Sequence, residues 1–167
     1  MRGQDQPAAP LADATSFRFA VIVSRFNEAI THSLRDAATA ALQEAGAAQV
    51  QVFDVPGAFE IPQAARAAAE SGRFDALVCL GCIIRGETPH FEYIASAVAH
   101  GITDAAGDTG VPMAFGVLTT DTVEQATARS GPGADNKGRE AAAAAIEMAR
   151  LYRALAGQSN RPSGFRV

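Results

Sequence analysis

Four short apolar runs punctuate this chain: Phe19-Ala20-Val21-Ile22-Val23, then residues 50–55, 76–84 and 112–118. Each has the length of a strand, is bounded by polar or chain-breaking residues, and is followed by a longer stretch of helical length. The first run contains no polar residue at all, the mark of a strand buried on both faces. Strands that alternate with long crossovers must run parallel, and right-handed crossovers put helices on both faces of the sheet. The expected architecture is a flavodoxin-like three-layer α/β/α sandwich around a four-stranded parallel sheet in the order 2-1-3-4.

Breaking residues set the boundaries. Residues 1–16, rich in proline, alanine and polar groups, are expected to form a flexible arm, residues 17–156 a single domain, and residues 157–167 a polar tail. Asn27 is placed to cap a first helix running to about Ala45, with Gly46 as its stop. Pro56-Gly57 breaks the second strand before a helix over about 60–71, which has Pro62 in its first turn and Gly72 at its end. Pro89 opens a helix over 91–105. Asp121-Thr122-Val123-Glu124 resembles a capping box before a short helix ending near Ser130. Gly131-Pro132-Gly133 then separates it from an alanine-rich helix over about 136–155.

Composition narrows the function classes. A chain of 167 residues buries roughly 70% of its unfolded surface, enough for a full core without staples. The net charge of −4 argues against broad nucleic-acid binding. No 18-residue apolar stretch is present to span a membrane, and Met1 to Pro7 lack the apolar region of a signal peptide. The two cysteines, Cys79 and Cys82, are too few for a disulfide framework and suit a reducing cytoplasm. Three residues apart on a strand they point to opposite faces, so this C-x-x-C reads as two small core residues rather than a redox pair. No second cysteine pair completes a zinc site, and no P-loop motif occurs.

In the 2-1-3-4 order, the turns after the first and third strands leave in opposite directions and open a crevice. Topology therefore brings Arg25-Phe26-Asn27 and Arg85-Gly86-Glu87-Thr88-Pro89-His90 to one place. The positive helix end beside His90 favours a neutral imidazole able to accept a proton. Gly86-Glu87-Thr88 can offer N–H groups and a hydroxyl to a phosphate, or simply cap the helix. Phe26 can stack on a flat ligand or pack in the core. Glu60, beside Gly57, can accept hydrogen bonds from a ligand or compensate a helix dipole. Arg129 and Lys137 flank the Gly-Pro-Gly break, where they can meet an anion or water. Phe115 reads as core, and His32 and His100 as structural.

Taken together, five segments resemble the 6,7-dimethyl-8-ribityllumazine synthase family. They are Arg25-Phe26-Asn27, residues 55–62 (VPGAFEIP), residues 81–91 (GCIIRGETPHF), residues 115–120 (FGVLTT) and Asn136-Lys137-Gly138. The resemblance covers about Phe19 to Leu155. It implies the penultimate reaction of riboflavin synthesis: 5-amino-6-(D-ribitylamino)uracil condenses with 3,4-dihydroxy-2-butanone 4-phosphate through an imine, phosphate is eliminated, and the ring closes with loss of water. It implies no metal and no redox cofactor, so catalysis rests on positioning and proton transfer. By position, it makes Phe26 the stacking ring; Ala58, Phe59 and Glu60 the holders of the pyrimidine and its ribityl chain; and Cys82, Ile83 and Ile84 the pocket wall. Glu87 and Thr88 become the phosphate site and His90 the proton-transfer residue. Phe115 and Arg129 reach the site from a neighbouring subunit, with Lys137 adding charge.

The family further implies a homo-oligomer, a pentamer or an assembly of pentamers, with sites between subunits and the N-terminal arm adding a strand to a neighbour's sheet. It also implies small-molecule substrates, a cytoplasmic location, and riboflavin synthase as a partner. Residues 130–135 (SGPGAD) depart from the Gly-Thr-Lys-Ala-Gly-like segment of many shell-forming members by a proline and a missing lysine. Two other readings compete: a non-catalytic shell protein that binds lumazine or flavin, and a monomeric FMN-binding flavodoxin-like module.

Overall fold

The computed structural model describes residues 10–159. Its elements are β1 (Arg18–Ser24), α1 (Glu28–Glu44), β2 (Gln49–Val55), a 3₁₀ turn (Ala58–Glu60), α2 (Ile61–Glu70), β3 (Ala76–Ile84), α3 (His90–Thr109), β4 (Met113–Thr120), α4 (Val123–Arg129) and α5 (Lys137–Ser159). The strands form one sheet in the order β2-β1-β3-β4, every pairing parallel. The fold class expected from the alternation is the one observed. Among the described residues no helix is long and apolar enough to cross a membrane.

Burial follows sheet position. β1, flanked by strands on both edges, is buried from Phe19 to Ser24, whereas β2, on an edge, exposes Gln49, Val52 and Asp54. Two cores lie on opposite faces. One gathers Leu34, Ala38 and Leu42 of α1 with Ala142 and Ile146 of α5; the other gathers Ile61 and Ala65 of α2 with Val98 and Ile102 of α3. Cys82 belongs to the first and Cys79 to the second, as the parity of a strand requires.

Several boundaries differ from the sequence expectation, each for a physical reason. α3 continues to Thr109 because its left-handed stop is Gly110, at φ 69°. α5 runs to Ser159, past both the expected end near Leu155 and the expected start of the tail; residues 160–167 lie outside the described residues. The capping box before α4 stands one residue later than expected: Thr122 accepts from the Gln125 N–H, while the Gln125 side chain reaches back to the Asp121 N–H. Asn27 does precede α1, but its side chain makes no cap; it adopts the left-handed conformation, φ 60° and ψ 52°, and turns elsewhere.

The arm expected over 1–16 is anchored in its second half, residues 1–9 lying outside the described residues. Ala14 is fully buried and donates its N–H to the Ala45 carbonyl at 2.9 Å. α5 clasps the same segment, Arg150 donating to the Asp13 carbonyl and Arg153 to the Ser16 hydroxyl, with the Arg153 guanidinium 3.7 Å above the Phe17 ring.

Candidate active site

All four strands point the same way, so their C-terminal ends share one edge of the sheet, and β1 and β3 part company there. Their pairing ends at Val23–Leu80, while β3 continues beside β4 as far as Ile84–Thr120. The last four residues of β3 therefore form a wall with one free edge. A cleft of about 350 Å³ lies against it.

Strand parity says which backbone groups face that cleft. The N–H of Leu77 and of Arg85 both bond to β4-side carbonyls, Pro112 and Thr120, so odd-numbered residues of β3 address β4. Cys82 and Ile84 must then turn their N–H and C=O toward the side that β1 has vacated. The Cys82 carbonyl accepts a hydrogen bond from the Asn27 side-chain amide at 2.9 Å.

Three turns close the cleft. From the β1–α1 turn comes Phe26, a residue 70% exposed, whose N–H is held by the Ser24 hydroxyl at 3.2 Å. From the 3₁₀ turn come Ala58, Phe59 and Glu60, with Phe59 59% exposed. Gly81 leaves room for the start of α2 behind that turn: a Cβ there would stand 3.0 Å from Ile61 Cδ1, though at an ordinary contact distance of 3.7 Å from Ala58 Cβ. Glu60 folds back over Gly57, its Oε2 lying 3.1 Å from where a Cβ would be. Two large apolar rings exposed at the rim of one concavity are what a flat partner needs and what a closed core avoids.

The third turn carries Gly86, Thr88 and His90 to the opposite rim. His90 is the first residue of α3, and no side chain caps that helix start, so Thr88 is not spent on capping. Arg85 stiffens the turn: its Nε meets Asp121 at 2.7 Å, its Nη1 bonds Glu92, and its guanidinium lies 4.5 Å over the Phe91 ring. Hydrogen bonding to Asp121, then to Glu92, raises the Arg85 pKa, and the Arg85 hydrogen bond in turn holds the Glu92 carboxyl below its ordinary value. Arg85 thus has its charge already matched by two carboxylates. Burial pushes the Cys79 thiol up to about 12 and the Cys82 thiol, at the cleft edge, to about 11. Both are neutral thiols at neutral pH, not nucleophiles.

Of the residues singled out in the sequence, Phe26, Ala58, Phe59, Glu60, Cys82, Ile83, Ile84, Thr88 and His90 line this one cleft. Glu87 is exposed beside it but does not line it. Phe115, Arg129 and Lys137 also stand apart from it. Phe115, paired with Cys79, faces the α2/α3 side and is 48% exposed rather than core. Arg129 ends α4 and donates to the Gln125 carbonyl at 3.0 Å, and Lys137 pairs with Glu140 at 2.8 Å. Asn27, Gly57, Gly86, Phe91 and Ile94 complete the lining. The three-residue spacing of Phe91 and Ile94 after a helix start was a readable signal for two of them.

Residues 16–153 match the family described as 6,7-dimethyl-8-ribityllumazine synthase. The chain is 54% identical over 144 residues to the 6,7-dimethyl-8-ribityllumazine synthase of Syntrophus aciditrophicus (strain SB), a match covering 85% of this chain and 94% of that one. Two solved structures of a GDP-L-fucose synthetase from Naegleria fowleri, the first bound to NADP, are also similar, at 13% and 12% identity and TM-scores of 0.42 and 0.36. In both the match covers 95% of this chain and 51% of theirs, and at those scores neither bears on fold or chemistry.

Proposed function

The chain belongs to the 6,7-dimethyl-8-ribityllumazine synthase family, and from that premise we propose that the cleft at the parting of β1 and β3 is the half-site in which the two substrates are joined. The chain is a transferase of riboflavin biosynthesis acting on small molecules. Its reaction forms 6,7-dimethyl-8-ribityllumazine from 5-amino-6-(D-ribitylamino)uracil and 3,4-dihydroxy-2-butanone 4-phosphate.

The observation that carries the assignment is the gathering of the rings Phe26 and Phe59, the β3 wall and the start of α3 around one cleft. In this reading the pyrimidine lies on Phe26 against Cys82, Ile83 and Ile84. Ala58, Phe59 and Glu60 take its polar edge and ribityl chain. The phosphate sits at the start of α3, on backbone N–H groups of residues 86–88 and the Thr88 hydroxyl, where the helix dipole favours an anion. The 5-amino group attacks the ketone and loses water to give an imine. Phosphate leaves, and the ribityl-bearing nitrogen closes the ring with loss of a second water. His90, at the rim between the two subsites, carries protons through these steps.

One chain supplies half of the charge balance. Arg85 is already matched by Asp121 and Glu92, so the dianion needs another cation. We assign that role to Arg129 of a neighbouring subunit, with Phe115 closing the ring pocket and Lys137 adding charge nearby. The exposure of Phe115, of Val52 on the β2 edge, and of Met148, Leu151, Tyr152 and Leu155 on α5 supports a homo-oligomer, a pentamer or an assembly of pentamers. A single domain over 17–156 in the cytoplasm completes the reading.

Mixing the purified protein with both substrates and following lumazine absorbance tests it. Turnover above the spontaneous rate is expected, with Arg129→Ala losing the phosphorylated substrate far more than the pyrimidine. A rate equal to the spontaneous one would favour the non-catalytic binding protein. A monomeric mass in solution would overturn the shared site.

A further inference from the structure

We propose that Asn27 is a positioning residue for the pyrimidine ring. Its side-chain amide replaces the strand that β3 loses at the cleft, and so holds Phe26 at a fixed distance from the β3 wall. The inference rests on the reading of the cleft given above. It starts from three observations that helix capping does not explain.

First, Asn27 precedes α1 yet makes no side-chain cap; the helix is started by its backbone carbonyl, which accepts from the N–H groups of Ile30 and Thr31. Second, it stands at φ 60°, one of two non-glycine residues at positive φ among the described residues. Asparagine tolerates that conformation better than most, but at a cost that a hydrogen bond must offset. Third, its Nδ2 donates to the Cys82 carbonyl at 2.9 Å, across 55 residues of sequence. By strand parity that carbonyl faces the edge from which β1 has already turned away. Without Asn27 it would be a half-buried acceptor lacking its sheet partner, and the β1–α1 turn would have no polar link to β3 at the cleft.

The left-handed turn and the tether work together. The turn sends the Asn27 side chain back across the crevice while the adjoining Phe26 ring stands out over it, and the Phe26 N–H is fixed on the Ser24 hydroxyl. The gap between ring and wall is what a flat heterocycle must fill, so a tether that sets it acts on pyrimidine affinity. It has no corresponding reach to the phosphate site at the start of α3.

Asn27→Gly keeps the left-handed backbone and removes only the amide. Calorimetry with 5-amino-6-(D-ribitylamino)uracil alone should show binding weakened about tenfold, the equivalent of one hydrogen bond. In steady state the loss should fall on the KM of that substrate rather than on kcat or on the KM of the butanone phosphate. Asn27→Asp, which turns an oxygen toward the Cys82 carbonyl, should bind at least as weakly. In a Phe26→Ala background Asn27→Gly should add little, because the tether acts through the ring. Wild-type affinity in either variant overturns the proposal, as does equal loss of both substrates or a full loss that persists without the Phe26 ring. Wild-type protein that fails to bind the pyrimidine would sink the cleft assignment itself, a result distinct from any of these.

Discussion

Gly138→Ala should destabilise the protein although it replaces the poorest common helix former by the best. A Cβ on Gly138 would stand 2.0 Å from the Leu34 carbonyl oxygen, 2.7 Å from its carbon and 2.8 Å from the Leu34 Cα. All three are backbone atoms of α1, so no side chain can swing aside, and α1 and α5 would have to separate by about 1 Å. Their interface is built from small side chains, Ala38, Ala41, Ala142 and Ala145 all being buried there, and a gap of that size forfeits a quarter to a half of each contact. Overpacking of this kind costs about 3 kcal/mol, against which alanine's helix propensity returns at most about 1 kcal/mol at this second position of α5. The net loss of about 2 kcal/mol corresponds to a fall in Tm of about 4–8 °C, measured at fixed protein concentration because the proposed assembly would add to apparent stability. Gly107→Ala is the matched control: a Cβ there meets nothing within 4 Å, so it should be neutral or stabilising by about 0.5 kcal/mol. Gly138→Ala as stable as wild type would refute the close approach of the two helices.

His90→Ala should slow turnover roughly 100-fold, the low end for proton transfer because positioning supplies the rest, while calorimetry shows pyrimidine binding largely kept; unchanged turnover would remove His90 from the chemistry. Arg85→Gln should leave the Asp121 and Glu92 charges unmatched beside the proposed phosphate site and raise the KM for the phosphorylated substrate about fivefold at low salt, less at high salt. A KM unmoved by either condition would show that the clasp does not shape the site. With thiols raised from 9.0 to about 12 and about 11, Cys79 and Cys82 should resist thiol reagents at pH 8 until the protein is denatured. The sign of the linked effect follows: above about pH 9 the unfolded chain releases thiol protons that the native chain retains, so this contribution to stability is complete below pH 9 and lost as pH rises. Rapid labelling of the native protein would contradict the burial.

The parallel sheet was legible because burial has a period. A run such as residues 19–23 has no polar position to expose, and four such runs alternating with helical lengths leave one economical arrangement. Strand order then brought Phe26 and His90 to one cleft before any side chain was placed. Asn27 misled in an instructive way. Its position before a helix is a capping signal, but its side chain is claimed by a carbonyl that only becomes available where β1 stops short of β3. Phe115 misled likewise: an apolar residue in a strand reads as core, yet the α2/α3 layer leaves it half in solvent. Segment 11–16 looked like an arm because it follows a proline- and alanine-rich start, while Ala14 is held by the Ala45 carbonyl just past α1 and the Asp13 carbonyl by Arg150 of α5.

What the sequence by itself determined, then, is everything carried by local pattern: the alternation of elements, the parallel sheet, the glycines and prolines that stop helices, and the motifs at the ends of β1, β2 and β3. What only the tertiary structure decided is where those ends stand relative to one another. The wall of the cleft exists because β3 outruns β1 by four residues, the start of α2 packs onto that wall because Gly81 lacks a Cβ, and Asn27 closes a ladder that no neighbouring residue in sequence could close. Periodicity records whether a side chain is buried, whereas such contacts depend on distances set by strand length and helix packing, and no local pattern encodes those.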